Sequence, residues 1–479
     1  MNVIINGFHE SHFFPLISNI LDFFKVNNCY ITYVNLKNTL PVHTKIKFHK
    51  VTDIIFGNYD VDWSAIPPLD EDFLEKMSDC EVTTMKMMDR IGISDYNKRK
   101  RIYLRHLRYW NYVIDNKDIT LFLSSSPPHE VYDFVIYSLC KLKNIPVIFS
   151  YQIRLFDSMV VAQDWEEIIP AIKEKYLHLQ KEYANVPEQE IVLSGRIKRD
   201  FDFFTSVDSP VHFYMNRKKS IQKTVCGWFK KLLFFEYWNP IFLSKKIIAI
   251  IVRLLGLIKI KYLEKKLFSV YKHNQMLPNL SSKYFYFPLH MQPEATTCPM
   301  GGKYVDQLLI VQMLSFYIPK DFIIYIKENP YQSINGRDIE FYNDLLDIPQ
   351  VRFVPVSYST FDLIDNSVAV VTATGTAGWE ALYRGKSVLL FGHSFYQFAD
   401  GIFMVRTKED CEKAINDILK NNFSPNLKDI KLFLKALENT TIEGYIDYNY
   451  KKVTMVPVDI SNNNIEKAII NKIKSVCYL

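Results

Sequence analysis

Three short stretches in the second half of the sequence gather side chains that can bind anions and handle protons. The first runs Phe287-Pro288-Leu289-His290-Met291-Gln292-Pro293-Glu294 and is followed by Thr296, Thr297 and the turn Gly301-Gly302. The second is Lys327-Glu328-Asn329-Pro330, and the third is Thr372-Ala373-Thr374-Gly375-Thr376-Ala377-Gly378-Trp379-Glu380. The third has the plainest chemistry. Small and hydroxyl residues just before a helix present backbone N–H groups and side-chain hydroxyls to an anion, and the helix dipole adds to the attraction. Glu380 falls one turn into that helix, where a carboxylate can accept hydrogen bonds from a ribose. No GK[ST] follows the glycine, so this is not a Walker loop. Each stretch alone has a structural reading: a capped helix packed closely at glycine, a buried histidine, a Lys–Glu pair at a strand end. Together they point to a ligand site.

The elements around these stretches explain why they would converge. From 283 to 392 strands and helices alternate: YFYFPL, a helix over about 304–317, FIIYIK, a helix over 337–347, VRFV, a helix over 359–366, VAVVTA, a helix over 377–384, and SVLLFG. Such alternation predicts a parallel, Rossmann-like sheet, in which ligands sit beyond the carboxyl ends of the strands. The chain before residue 205 opens with a βα unit, Val3–Ile5 and a helix from about Pro15. It holds a second unit with a strand at Thr120–Leu123, a Ser/Pro loop, a helix at Val131–Lys143 and a strand at Val147–Phe149. The polar stretch between them reads as helical. Its Arg101, Arg105 and Arg108 fall at helical spacing and serve either as a solvated face or as a patch facing a ligand.

The run from FPLHMQPE through the Asp306-Gln307 pair, KENP and TATGTAGWEALYRGKSVLLFG resembles the capsule polysaccharide biosynthesis family, which includes bacterial Kdo transferases. The resemblance covers roughly 283–396 and extends only loosely to the first part of the chain. It implies the α/β GT-B fold, two Rossmann-like domains facing a cleft, and a glycosyltransferase that uses a CMP-activated sugar of the Kdo or nonulosonic acid type. It places the nucleotide in the C-terminal domain, with Thr374, Gly375 and Thr376 on the phosphate, Glu380 on the ribose or base, and Gln292, Glu294, Lys327, Glu328 and Asn329 around it. Where related sequences carry a His-Pro pair, this chain has Asn329-Pro330. Asparagine can donate a hydrogen bond to a phosphate but cannot carry a proton through, so leaving-group protonation would fall to His290 or Lys327. The acceptor would be a surface polysaccharide or lipid-linked glycan. Its hydroxyl would need a base from the loops after the first domain's strands, GFHESHFF (His9, Glu10, His12) and SSSPPHE (Ser125, Ser126, His129, Glu130), with Asp133 one turn later. Glu130 is the first choice there, followed by Glu10 and Asp133, with His129 alongside; helix capping by a polar loop is the competing reading. Positioning and anion stabilisation would supply most of the catalysis with no metal and no cofactor. Other donors, such as CDP-glycerol or a UDP- or GDP-sugar, and a non-catalytic glycan-binding or export role remain open.

Composition bounds the rest. At 479 residues with 48% hydrophobic and 23% charged residues, the chain suits two folded domains and an extra segment, and excludes general disorder. Seven scattered cysteines with no CxxC pair argue against a disulfide framework or a structural zinc. The first residues read as strand, loop and helix and not as a signal peptide, and no apolar run is long enough for a membrane span. The expected location is cytoplasmic, at the inner face of the membrane. Net charge is +6, yet residues 211–275 alone hold fourteen basic residues against Glu236 and Glu264, so the remainder is net acidic. Basic residues interleaved with Trp228, Phe229, Trp238 and large aliphatics predict a helical arm on an anionic membrane surface or a hairpin packed on the body. They do not fit nucleic-acid binding. The expected organisation is an acceptor domain (1–205), the basic helical insertion (206–280), a nucleotide-sugar domain (281–425), and terminal helices (426–479) able to fold back on the first domain.

Overall fold

The computed structural model describes residues 1–33, 44–206, 240–334, 336–421, 423–447 and 449–477. Six strands open the first sheet: β1 (Asn2–Asn6), β2 (Asn28–Tyr33), β3 (Lys45–Lys50), β4 (Leu121–Ser124), β5 (Val147–Gln152) and β6 (Ser158–Ala162). Strands β3-β2-β1-β4-β5 lie parallel in that order, and β6 turns back antiparallel on β5. The second sheet comprises β7 (Tyr284–Pro288), β8 (Ile323–Lys327), β9 (Val351–Phe353), β10 (Ala369–Thr372), β11 (Val388–Leu390) and β12 (Ile402–Met404). It is wholly parallel, in the order β12-β11-β10-β7-β8-β9. Counted from its own first strand this is the 3-2-1-4-5-6 order of a doubly wound dinucleotide-binding sheet. The strand order reverses between β7 and β10 in one sheet and between β1 and β4 in the other. Two such sheets meeting at a seam make the GT-B arrangement.

Burial follows the two-residue period of the strands. In β7, Tyr284 and Tyr286 face one apolar cluster while Phe285 and Phe287 face the other. In β1, Val3 and Ile5 pack under the helices Phe14–Phe23 and Val458–Cys477, and Ile4 faces the opposite side. The first of these clusters runs on through the seam to Trp379 and Phe433, so the two domains share buried apolar surface.

After the second sheet the chain returns to the first domain. Helix Leu427–Thr440 packs on helix Ile172–Glu182. The short strand β13 (Ile442–Glu443) pairs antiparallel with β6, and helix Val458–Cys477 lies against helix Phe14–Phe23. Arg196 ties this return, donating to the carbonyls of Glu438 and Thr441. Of the expected basic segment, 211–239 lies outside the described residues. Helix Pro240–His273 is described and enters the second domain at Leu267 and Tyr271. No described helix is long and apolar enough to cross a membrane. Arg108 is no free cation on a solvated face: it donates to the carbonyls of Trp63, Ile66 and Pro67.

Ile469 is 0% exposed where the last helix meets β1. Ile469→Ala should cost about 2–5 kcal/mol, read as a lower denaturation midpoint for the first domain.

Candidate functional site

Both switch points are closed by the same device, a glycine in one strand-end loop lying against a side chain of the other. In the second domain His290, just past β7, reaches across to the loop after β10. Its Nε2 accepts the Ala373 N–H at 3.0 Å and lies 2.9 Å from Thr372 Oγ1. Because Nε2 accepts, the ring proton sits on Nδ1. Burial, aided by the Arg337 charge, lowers the His290 pKa to about 4. A Cβ on Gly375 would lie 2.3 Å from His290 Cε1 and 2.9 Å from Nδ1, so only glycine leaves the ring its place. In the first domain Gly7, at φ +77°, gives way in the same manner to Ser125.

Helix Thr376–Tyr383 starts at this crossing. The Gly375 N–H is taken by Thr372 Oγ1 at 2.9 Å and the Gly378 N–H by the Gly375 carbonyl. That leaves Thr376 and Ala377 as the orphan donors of the first turn. The Thr374 hydroxyl donates to the Thr296 carbonyl at 2.6 Å, and the Thr376 hydroxyl bonds Glu380. An anion placed here would therefore meet a narrower set of groups than expected. Its donors would be the N–H groups of Thr376 and Ala377 together with His290 Nδ1–H, while Gly375 and Thr374 shape the loop.

Two expected ligand residues are held by partners within the protein. The Gln292 amide donates to the Val305 carbonyl and accepts from Arg337. Glu328 is buried with Arg337, 3.3 Å from its Nε, and accepts from Tyr342 Oη at 2.6 Å and from the Asn329 N–H. Burying so polar a set costs less than burying a lone charge because each member has partners. The set also holds His290, whose carbonyl accepts from Arg337 at 2.9 Å. Gln307 clamps the same backbone unit from the other side, accepting the His290 N–H at 2.8 Å and donating to its carbonyl at 3.1 Å.

Two cavities meet over the start of helix Thr376–Tyr383. One, about 540 Å³, lies in the second domain and is lined by Lys327, Asn329, Tyr358, Thr360, Phe361 and Glu380, with Phe203 and Phe204 closing it from the first domain. Burial raises the Glu380 pKa to about 7 against the pull of Arg384, Thr376 and Lys327. Burial likewise lowers Lys327 to about 8, although Glu380 opposes it, and its amine donates to the Tyr358 carbonyl and Thr360 Oγ1. The other cavity, about 510 Å³, opens between the domains. Glu294, Asn329, Thr374, Thr376 and Tyr396 line one side, and Arg90, His129, Tyr151, Arg154, Asp447 and Asn449 the other. His290, Asn329, Gly375 and Thr376 belong to both.

On the first-domain side the structure reorders the candidates for a base. His129 lines the interdomain cavity, and its Nδ1 lies 2.6 Å from the Pro127 carbonyl. A carbonyl only accepts, so Nδ1 carries the proton and Nε2 keeps a lone pair. Glu130 stands behind it, Oε1 3.8 Å from both His129 Nε2 and Arg90 Nη1. Asp133 is fully buried and is not a base facing the cleft. Its carboxylate accepts the N–H groups of His129 and Glu130 at 3.0 and 2.6 Å and the Asn6 amide, and burial raises its pKa to about 6. Those bonds hold Val131 at φ +69°, a conformation that costs a β-branched residue energy and that clusters at functional sites. Glu10 is exposed in the loop after β1, beside His9 and His12, and lines neither cavity. Arg90, Arg154, Asp447 and Asn449 carried no sequence signal, since nothing in their local pattern separates them from ordinary surface residues.

Gly375→Ala should destabilise the second domain by about 1–3 kcal/mol through overpacking, with the His290 ring displaced in a crystal structure. By NMR, His290 should remain the neutral Nδ1–H tautomer from pH 8 to pH 5.5 and protonate only near pH 4; a midpoint near the ordinary 6.5 would contradict the geometry. Glu328→Ala should cost about 3–5 kcal/mol by leaving Arg337 buried and unpaired, seen as a large fall in unfolding midpoint.

In course of chain the protein is similar to the KpsC β-Kdo 2,7-transferase of Thermosulfurimonas dismutans, at 10% identity and TM-score 0.33 over 98% of this chain and 99% of that one. It is similar to a glycosyltransferase of Rickettsia africae, at 9% identity and TM-score 0.28 over 99% and 98%. It is also similar to the UDP-GlcNAc 2-epimerase of Methanocaldococcus jannaschii solved with UDP-GlcNAc and UDP, at 11% identity and TM-score 0.27 over 91% and 99%. No curated protein matches the sequence. Residues 264–437, which carry β7 to β12 and the loops that meet at their ends, match the family model described as capsule polysaccharide biosynthesis protein.

Proposed function

We propose that the protein is a glycosyltransferase that moves an acidic ulosonic sugar from a CMP-activated donor to a surface polysaccharide or lipid-linked glycan. The observation that carries the transferase reading is the meeting of two cavities over one anion seat. A nucleoside fits the cavity inside the second domain, with Glu380 accepting from ribose hydroxyls. The phosphate then lies at Thr376 and Ala377, and the sugar enters the interdomain cavity facing His129. The CMP and ulosonic parts rest on the family match of 264–437 and the motifs within it.

In the reaction, the bond between the anomeric carbon and the phosphate oxygen breaks as an acceptor hydroxyl oxygen bonds to that carbon. The hydroxyl proton passes to His129 Nε2, and Glu130 stabilises the imidazolium that forms. Charge gathering on the departing phosphate meets the N–H groups of Thr376 and Ala377, the helix dipole and His290 Nδ1–H. His290 does this as a neutral donor, its other nitrogen being already engaged. Lys327 stands beside Glu380 as the remaining cation of the nucleoside cavity.

A thermal-shift series with CMP, CDP, UDP and GDP tests the donor. CMP at a hundred times its dissociation constant should stabilise the protein by about 2.7 kcal/mol. A shift with UDP or GDP alone would replace the donor, and no shift with any nucleotide would favour a non-catalytic glycan-binding role. Thr376→Val with Glu380→Ala should abolish the CMP shift. His129→Asn should lower the transfer rate by about 10²–10⁴ with the CMP shift unchanged.

A further inference from the structure

Helix Pro240–His273 has two apolar faces, and the fold uses one. At 100° per residue, Leu263, Leu267 and Tyr271 share a face; Leu267 and Tyr271 are buried in the second domain, and Leu263, a turn before them, is 36% exposed. Tyr271 is built firmly into that core. Its hydroxyl donates to the Val354 carbonyl and accepts the Glu328 N–H at 3.0 Å. Leu255, Ile258 and Tyr262 follow at i, i+3 and i+7 on a face roughly 150° away, and they are 60%, 64% and 66% exposed. Four exposed lysines border that second stripe, Lys259 and Lys266 along one edge and Lys261 and Lys265 along the other.

We propose that the stripe Leu255-Ile258-Tyr262 and its flanking lysines are a docking surface for an anionic lipid bilayer. Charge complementarity selects this occupant. An apolar band edged on both sides by cations suits the boundary between acyl chains and anionic headgroups, where a tyrosine ring sits at the interface and lysine stems reach up to the headgroups. A protein groove would cover the apolar band and give the lysines acidic partners, yet among the described residues none of the four forms an ion pair. The surface stands independently of the transfer reaction.

The test is sedimentation of the full chain with vesicles of phosphatidylcholine alone or with phosphatidylglycerol added, at low and at high salt. The wild-type protein should sediment with the phosphatidylglycerol vesicles and stay in solution with the neutral ones. A variant with Lys259, Lys261, Lys265 and Lys266 each changed to Glu should partition at least tenfold less. Leu255→Ser with Ile258→Ser and Tyr262→Ser should leave weak binding that salt abolishes, and both variants should melt at the wild-type temperature. Equal sedimentation of wild type and charge-reversed variant overturns the proposal. So does a fall of several degrees in the serine variant's melting temperature, which would show the stripe covered by the chain itself. Retention on duplex DNA without vesicle binding also overturns it.

Discussion

The imidazole of His290 is neutral, protonated on Nδ1 and pressed against a glycine, and a buried polar set of Gln307, Arg337 and Glu328 in the second domain keeps it so. Its Nε2 joins the loop after β7 to the loop after β10 across the point where strand order reverses. A sheet of this topology leaves a crevice there because successive helices depart to opposite faces. Without a tie, two loops rich in unpaired backbone donors would face each other across water. Gln307 fixes the backbone that carries the ring, and Arg337 adds both a hydrogen bond and a positive charge that opposes protonation. Glu328 compensates that charge within the same buried set, so a carboxylate engaged wholly by the scaffold sets the electrostatics around the ring.

The first domain meets its own switch point with an asparagine. Asn6, at the end of β1, donates to Ser124 Oγ at 3.1 Å and to Asp133, and accepts from Thr32 and Tyr132 at 2.7 and 3.0 Å. Asp133 carries the network into the loop that presents His129. Each half of the cleft thus sets one histidine on a fully engaged buried carboxylate or ion pair. The tautomers are alike, but the environments differ. His290 spends Nε2 on the scaffold and offers a proton, whereas His129 spends Nδ1–H on a carbonyl and offers a lone pair.

How far this was legible depends on whether the cause is local. In the second sheet β7, β8, β10 and β11 read directly because they are largely buried on both faces and framed by helices, whereas the partly exposed edge strand β12 escaped notice. In the first sheet, β2 and β3 escaped notice. β3 is KIKFHK, half lysine, because it forms the sheet's edge, where charge protects unpaired backbone from intermolecular pairing. The three polar strand ends do come together in the structure, but sequence cannot divide such a group into cavity wall and scaffold. Gln292 and Glu328 look like site residues because they follow strands, and Arg337, which claims both, lies in a separate loop. Which of the adjacent His129 and Glu130 lines the interdomain cavity is likewise beyond local sequence, being set by Val131 at positive φ, held by a carboxylate two residues further on.

The closing strand and last helix of the first domain come from residues 442–477, beyond the whole of the second sheet. During synthesis, the second domain therefore leaves the ribosome with its strands complete while the first still exposes the face of β1 and helix Phe14–Phe23 that Ile465, Ile469 and Ile473 cover. Contacts of such sequence separation form late, because the loop they close must first lose its entropy. The first-domain half of the cleft is thus completed after the second-domain half, and its β1 face stays open until the final helix arrives.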